Sequence, residues 1–162
     1  MNGIKEYIES VDMCEDYKAR ILGARTKREV FDIIVDINGL GYMCGTDESN
    51  KHFVVPYEEI VEKFGRFING GYIAYNNGYT SKLYCCYCDT EPIVADTTLV
   101  GIMGCGDVSV VVPPNSISRL FVDRNSNVTV DVSEGSICEC HFTGDTVKWR
   151  GKGKFIAKRY GE

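Results

Sequence analysis

The second half of the sequence alternates short apolar runs with polar turns, and this alternation constrains the fold more than any other feature. Within each run, β-branched and aromatic residues recur at a period of two, which is typical of strands. Breaks rich in Gly, Pro, Asn, Ser and Asp separate the runs, whose starts lie roughly 8 to 11 residues apart. The pattern predicts strands at residues 98–103, 108–112, 117–122, 128–132, 137–142, 147–149 and 155–157.

Two architectures satisfy this spacing. In a β-solenoid, or β-helix-like fold, each short strand lies over the strand one coil earlier, whereas an antiparallel barrel or sandwich joins neighbouring strands by hairpins. Polar turns without an Asn-Gly signal favour the solenoid, but no strict residue repeat is visible. Both architectures therefore stay open at this point.

The residues before position 70 have helical rather than strand periodicity. Apolar residues recur at helical spacing over residues 4–11 and 13–22. Residues 26–29, TKRE, form a capping box, which predicts a helix over residues 27–37.

The expected fold class is therefore α+β, in which short N-terminal helices precede a many-stranded β region. Residues 1–70 form the mainly helical portion, and residues 71–162 form the β-rich portion. The β-rich portion opens with a predicted hairpin around Asn76-Asn77-Gly78.

Composition and charge are those of an ordinary globular chain of 162 residues, with 44% hydrophobic and 25% charged residues. No apolar run approaches the roughly 20 residues of a membrane span, and the first residues lack a secretory signal, so we expect a cytoplasmic protein with no membrane role. The net charge of −5 is uneven, because residues 146–162 contain six basic residues and one acid, whereas residues 1–145 carry −10. An acidic body therefore precedes a basic tail.

The sequence has eight cysteines but no recognisable export signal, so we expect reduced thiols. Cys86 and Cys88 share one strand face, as do Cys138 and Cys140, and four thiolates could converge on a zinc ion. Structural zinc ligands usually come from turns with longer spacings, however, and buried cysteine commonly acts as a small hydrophobe. The sequence therefore predicts core cysteines and no metal or other cofactor, with zinc binding and a redox or disulfide role as alternatives.

Nucleophilic catalysis needs a base beside a thiol or hydroxyl, and the two histidines of the chain are His52 and His141. Cys140 and His141 are neighbours in a predicted strand, so their side chains point to opposite faces. The glycine-rich segments match neither a P-loop nor a dinucleotide fingerprint. No catalytic residue is therefore predicted.

The basic tail interleaves cations with aromatic side chains. Aromatic rings can stack on nucleobases while Lys and Arg contact phosphates, so this segment could bind a single-stranded nucleic acid. Lysines on an outer strand also oppose edge-to-edge aggregation while the aromatic residues cap the core, and this interpretation is favoured because a short segment makes few phosphate contacts. The candidate nucleic-acid-binding residues are Lys148, Trp149, Arg150, Lys152, Lys154, Phe155, Lys158 and Arg159.

Four segments carry a resemblance to a known group of proteins: residues 26–33 (TKREVFDI), 64–70 (FGRFING), 78–81 (GYTS) and 84–87 (YCCY). Together they resemble a family of uncharacterised proteins of prophages and mobile elements of gut Bacteroidales. The resemblance covers mainly residues 4–110. It implies a phage or mobile-element origin and carries no known chemistry.

These observations favour a non-catalytic structural or protein-interaction module. A many-stranded surface offers binding faces, and its open ends could be covered by a protein partner or by self-association. One alternative is a nucleic-acid-binding accessory protein that uses the basic tail. A second is a small enzyme whose site has no recognisable motif.

Overall fold

The computed structural model describes residues 2–10, 14–34, 36, 41, 44, 46, 72–76, 79–85, 87, 90–96 and 99–160. Over these residues three helices precede ten strands, which confirms the predicted α+β class. The helices are α1 (Asn2–Ser10), α2 (Glu15–Gly23) and α3 (Lys27–Ile34). The strands are β1 (Tyr72–Asn76), β2 (Tyr79–Cys85), β3 (Ile93–Val94), β4 (Leu99–Met103), β5 (Gly106–Val112), β6 (Ile117–Val122), β7 (Ser126–Val132), β8 (Ile137–Thr143), β9 (Val147–Arg150) and β10 (Lys154–Tyr160).

The predicted capping box opens α3, with one difference. The Glu29 N–H donates to Thr26 Oγ1 at 3.1 Å, as expected. In a capping box the Glu29 carboxylate would accept from the Thr26 N–H, whereas here it accepts from the Arg25 N–H at 2.5 Å. α3 then buries Val30 and Phe31 completely. Of the helices that the structure describes, none is sufficiently long and apolar to cross a membrane.

The strands form a β-solenoid. β1 and β2 make the predicted antiparallel hairpin, in which Asn76 pairs with Tyr79. From β2 onward every described strand pair is parallel. One sheet has the order β1-β2-β4-β6-β8-β10 and the other has the order β3-β5-β7-β9, so the chain alternates between two sheets and completes about four coils. Parallel stacking decides between the two predicted architectures in favour of the solenoid.

The central coils are 20 residues long. Leu99 pairs with Arg119 in the larger sheet, and Gly106 pairs with Ser126 in the smaller one. A few paired positions hold the same residue, such as Val108 and Val128, but most do not, and what repeats throughout is the alternation of inward and outward positions. This is why no strict residue repeat is visible in the sequence.

An apolar core fills the space between the two sheets. Its inward side chains alternate with outward polar ones along each strand, and valine dominates because β-branched residues pack well on a pleated surface. The buried members are Ile93, Ala95, Val100, Ile102, Cys105, Val108, Val110, Val112, Leu120, Val122, Val128, Val130, Val132, Cys138, Cys140, Phe142 and Val147.

Short polar side chains satisfy the backbone at the corners of the coils. Asp123 is buried, and it accepts hydrogen bonds from the Gly104 N–H at 3.1 Å and from the Ser126 hydroxyl at 2.7 Å. Ser126 in turn accepts from the Cys105 N–H at 3.0 Å. Because Gly104 and Cys105 belong to the preceding coil, these bonds join one corner to the next.

Candidate functional site

The last coil, formed by β9 and β10, ends the solenoid with unpaired strand edges. β9 pairs with β7 and β10 pairs with β8, and no described strand pairs with the other edge of either. The Lys154 N–H donates to the Ser136 carbonyl at 2.8 Å, on the side of β8. Because successive N–H groups alternate sides along a strand, those of Phe155, Ala157 and Arg159 point toward the open edge. Such an edge is a template for a further strand.

Two stacked aromatic rings, the terminal aromatic pair, lie where the core meets this end. The ring centroids of Trp149 and Phe155 are 4.4 Å apart, and the ring planes differ by 9°. Trp149 aligns with the core residue Val130 and Phe155 aligns with the core residue Cys138, so both rings face inward. Trp149 nevertheless keeps 48% of its surface exposed. The end of the core therefore presents an apolar surface.

Lysines surround the terminal aromatic pair on both sheets. Lys148 aligns with Thr129 on the outer face of the smaller sheet. Lys154 and Lys158 lie on the outer face of the larger sheet, on the edge strand itself. A further lysine, at position 152, occupies the turn between β9 and β10. The lysine charges thus lie outside the terminal aromatic pair, on the outer faces and in the turn.

The two arginines of the last coil are already paired, unlike the lysines. Arg150 Nε lies 3.2 Å from Asp131 Oδ2, and Arg159 Nη2 lies 3.0 Å from Asp145 Oδ1. No carboxylate among the described residues lies within ion-pairing distance of Lys148, Lys152, Lys154 or Lys158. These four ammonium groups are the free positive charge of this end.

A hydrogen-bonded cluster on the outer face of the larger sheet ties β10 to β8. His141 Nδ1 lies 2.7 Å from the Tyr160 hydroxyl, and His141 Nε2 lies 2.7 Å from Glu139 Oε1. Arg119 Nε lies 2.9 Å from the same Glu139 oxygen. The imidazole stacks between Phe121 and Tyr160, with centroid distances of 4.8 and 5.6 Å. We refer to these five residues as the His141 cluster.

The electrostatics of the cluster fix its hydrogen-bond directions. Burial lowers the pKa of His141 below its usual range, so the imidazole is neutral at pH 7. The hydrogen bond from His141 lowers the pKa of Glu139, which keeps that carboxylate ionised. We assign the proton of the neutral ring to Nε2, which donates to Glu139, and Nδ1 then accepts from the Tyr160 hydroxyl.

The order hydroxyl, imidazole and carboxylate is that of a nucleophilic triad. Catalysis also requires a cavity beside the nucleophile for a substrate. The groove of about 410 Å³ that the structure describes lies on the other sheet, where Asp107, Thr129 and Lys148 contribute to its lining. The groove and the His141 cluster therefore do not form one site, and the hydrogen bond between His141 and Tyr160 ties β10 to β8.

Two of the four cysteines considered above as zinc ligands are among the described residues, and both lie in the core. Cys138 and Cys140 are both 0% exposed. Burial raises the pKa of Cys138 to about 12 and raises that of Cys140 as well, so both are uncharged thiols, whereas zinc ligands are thiolates. Cys86 and Cys88 lie outside the described residues, as does His52. Within the described part of the chain, no group of three or more His, Cys, Asp or Glu could hold a metal ion.

The sequence analysis identified the residues of the tail and favoured aromatic residues that cap the core, but it did not predict that the lysines lie on two sheets. The structure directs Trp149 and Phe155 inward, and it distributes the cations over two sheets. The sequence analysis also missed the His141 cluster. The spacing Glu139-x-His141 could have indicated the contact between these two side chains, because residues two apart in a strand share a face.

Comparison of the chain with protein-family models, with curated proteins and with solved structures finds no match in any of the three. The mobile-element origin that the resemblance implies therefore stays a prediction.

Proposed function

We propose that this protein is a non-catalytic protein-interaction module that binds an extended segment of a partner at the C-terminal end of its solenoid. The observation that carries the proposal is the combination of the seven-residue edge strand β10 with an exposed aromatic pair at the end of the core. An added strand would gain main-chain hydrogen bonds along the edge and would bury the two rings.

Preorganisation of the edge strand supports the proposal. The His141 cluster fixes the outer face of β10 through Tyr160. The turn before β10 is also tightly packed, because Gly151 has a φ of +105° and a Cβ at that position would meet the Val132 carbonyl oxygen. The Gly153 N–H donates to the same carbonyl at 2.9 Å. A strand that is already ordered loses little entropy when a partner binds.

Nucleic-acid binding by the tail is the weaker alternative. Lys148 lies on one sheet and Lys154 on the other, so a single phosphate backbone cannot follow both. Arg150 and Arg159 are already engaged by carboxylates. The number of free phosphate contacts is therefore small, and affinity for nucleic acid depends on that number.

End-to-end self-association through two copies of this surface is also disfavoured. It would bring the free lysines of both copies together across the interface, and like charges on facing strands are destabilising. The proposal therefore commits to a different polypeptide as the occupant.

The proposed function is tested with a variant that blocks only the open edge. Ala157→Pro removes an N–H that points away from β8, so the β8–β10 ladder is kept while strand addition is prevented. Displayed seven-residue peptides would be selected on the wild-type protein, and binding would be measured by the fluorescence of Trp149, the single tryptophan of the chain. We expect selected peptides to bind the wild type and to lose binding to Ala157→Pro. Failure to select any peptide, or equal binding to the variant, would contradict the proposal.

A further inference from the structure

We infer that the partner segment alternates acidic residues, which pair with Lys154 and Lys158 of β10, with apolar residues that cover the terminal aromatic pair. This inference rests on the proposed function and adds the chemistry of the partner to it.

The apolar residues of the partner segment are inferred from the inward surface of β10 that they would cover. A strand added to β10 places every second side chain over the inward positions of that strand, which are Phe155, Ala157 and Arg159. Phe155 stacks on Trp149, and the Arg159 guanidinium lies over the Phe142 ring, 5.5 Å from its centroid. The surface at these positions is made of aromatic rings, a methyl group and the Arg159 guanidinium, whose charge is already paired with Asp145. Apolar side chains therefore fit over the rings and the methyl group.

The acidic residues of the partner segment are inferred from the positive charge on the outer face of β10. Lys154 and Lys158 lie on the outer face of the edge strand, with Ile156 between them. Glu139 is near Lys158, whose charge contributes to the lowered pKa of that carboxyl group. Its Oε1 atom is already bound by His141 and Arg119, however. The two ammonium groups are therefore available to carboxylates directly across an added strand, where opposite charges attract.

The same lysines select against other strands. A basic strand would place like charges opposite each other, and a neutral strand would supply no counter-charge to the two ammonium groups. The same lysines disfavour pairing with a second copy of the chain, because lysines on an edge oppose unspecific pairing. Selectivity is thus built into the edge strand.

Three seven-residue peptides with identical apolar positions test the inference. Their alternate positions carry Glu, Thr or Lys, and each is titrated into the full chain while Trp149 fluorescence is recorded. We expect the Glu peptide to bind roughly tenfold more tightly than the Thr peptide, with an advantage that falls as salt is added, and we expect no binding of the Lys peptide. In the Lys154→Glu/Lys158→Glu variant the order of the Glu and Lys peptides should be reversed.

The matched control is Lys27→Glu/Arg124→Glu, which changes the net charge by the same amount at exposed positions in α3 and in a turn before β7. It should bind like the wild type. Should the charge-reversed variant fail to fold, the salt dependence measured on the wild type tests the same claim.

The outcomes separate the inference from the proposed function. If the Thr peptide binds as tightly as the Glu peptide and Ala157→Pro abolishes both, strand addition stands and the acidic partner is wrong. If no peptide changes the fluorescence, both fail. If a single-stranded oligonucleotide displaces the Glu peptide and binds equally to Ala157→Pro, the end recognises polyanions and the inference is overturned.

Discussion

Neighbouring residues in the solenoid have unrelated roles because burial follows a period of two. Cys140 and His141 are adjacent, yet the thiol lies in the core and the imidazole belongs to the outer cluster. The sequence predicted this opposition correctly from strand geometry alone. It could not predict that His141 meets Tyr160, because that contact depends on which strand lies next to β8.

The reactivity of the cysteines is one prediction at this scale. Treatment of the folded protein with iodoacetamide at neutral pH should alkylate the exposed Cys14 and leave Cys138 and Cys140 unmodified, because burial keeps both as neutral thiols. Peptide mapping by mass spectrometry measures this. Unfolded protein, the control, should be labelled at all three positions. Rapid labelling of Cys138 in the folded state would contradict its placement in the core.

The pH dependence of stability tests the His141 cluster. Since burial lowers the pKa of His141, the unfolded chain binds more protons than the folded chain as the pH falls through the unfolded value, and stability is lost in that direction. Denaturant unfolding should therefore give a lower free energy at about pH 5.5 than at about pH 7.5. Glu139 stays ionised over this window because its pKa is lowered.

His141→Gln is the matched variant, because glutamine can form hydrogen bonds but does not titrate in this range. It should show a smaller loss of stability between the two pH values than the wild type. If the variant lost as much stability as the wild type, the pKa of His141 would not differ between the folded and unfolded states, which would contradict the structure.

Single elements were predictable where their residues are half-buried. Strand β6 has the predicted bounds, Ile117–Val122, because buried residues alternate with more exposed ones over its first four positions, although Phe121 and Val122 are both buried. β3, Ile93–Val94, was missed because two residues cannot display a period. The predicted run at 155–157 was too short, since β10 continues to Tyr160. The reason is that an edge strand without a further coil over it tolerates charged residues at positions that would otherwise be apolar.

The turn between β9 and β10 provides a prediction at the scale of the element. Gly153→Ala would place a Cβ against the Ser133 carbonyl oxygen and Val132 Cγ1, in a turn that cannot move without displacing β10. We expect the free energy of unfolding to fall by about 1–3 kcal/mol. Gly23→Ala is the control, because nothing lies within 4 Å of a Cβ built there, and it should change stability by less than about 0.5 kcal/mol. Equal effects of the two substitutions would contradict the close packing of this turn.

At the scale of the whole molecule, the sequence indicated many short strands but could not choose their partners. Periodicity reveals which face a side chain occupies, whereas the pairing of β6 with β8 joins positions 20 residues apart, where all aligned side chains but Ile117 and Ile137 differ. The candidate site shows the same limit. Its residues, and the aromatic cap on the core, were predicted from the basic tail, but the distribution of the lysines over two sheets depends on where the chain turns at residues 151–153.

Amide hydrogen exchange along β10, measured residue by residue by NMR, tests the central claim that the solenoid ends in an ordered but unpaired strand edge. The N–H groups of Lys154, Ile156 and Lys158 face β8 and should exchange slowly, whereas those of Phe155, Ala157 and Arg159 should exchange rapidly in the free protein and slow down when the Glu peptide is added. Slow exchange of Phe155, Ala157 and Arg159 in the free protein would show that the edge is already paired and would contradict the account.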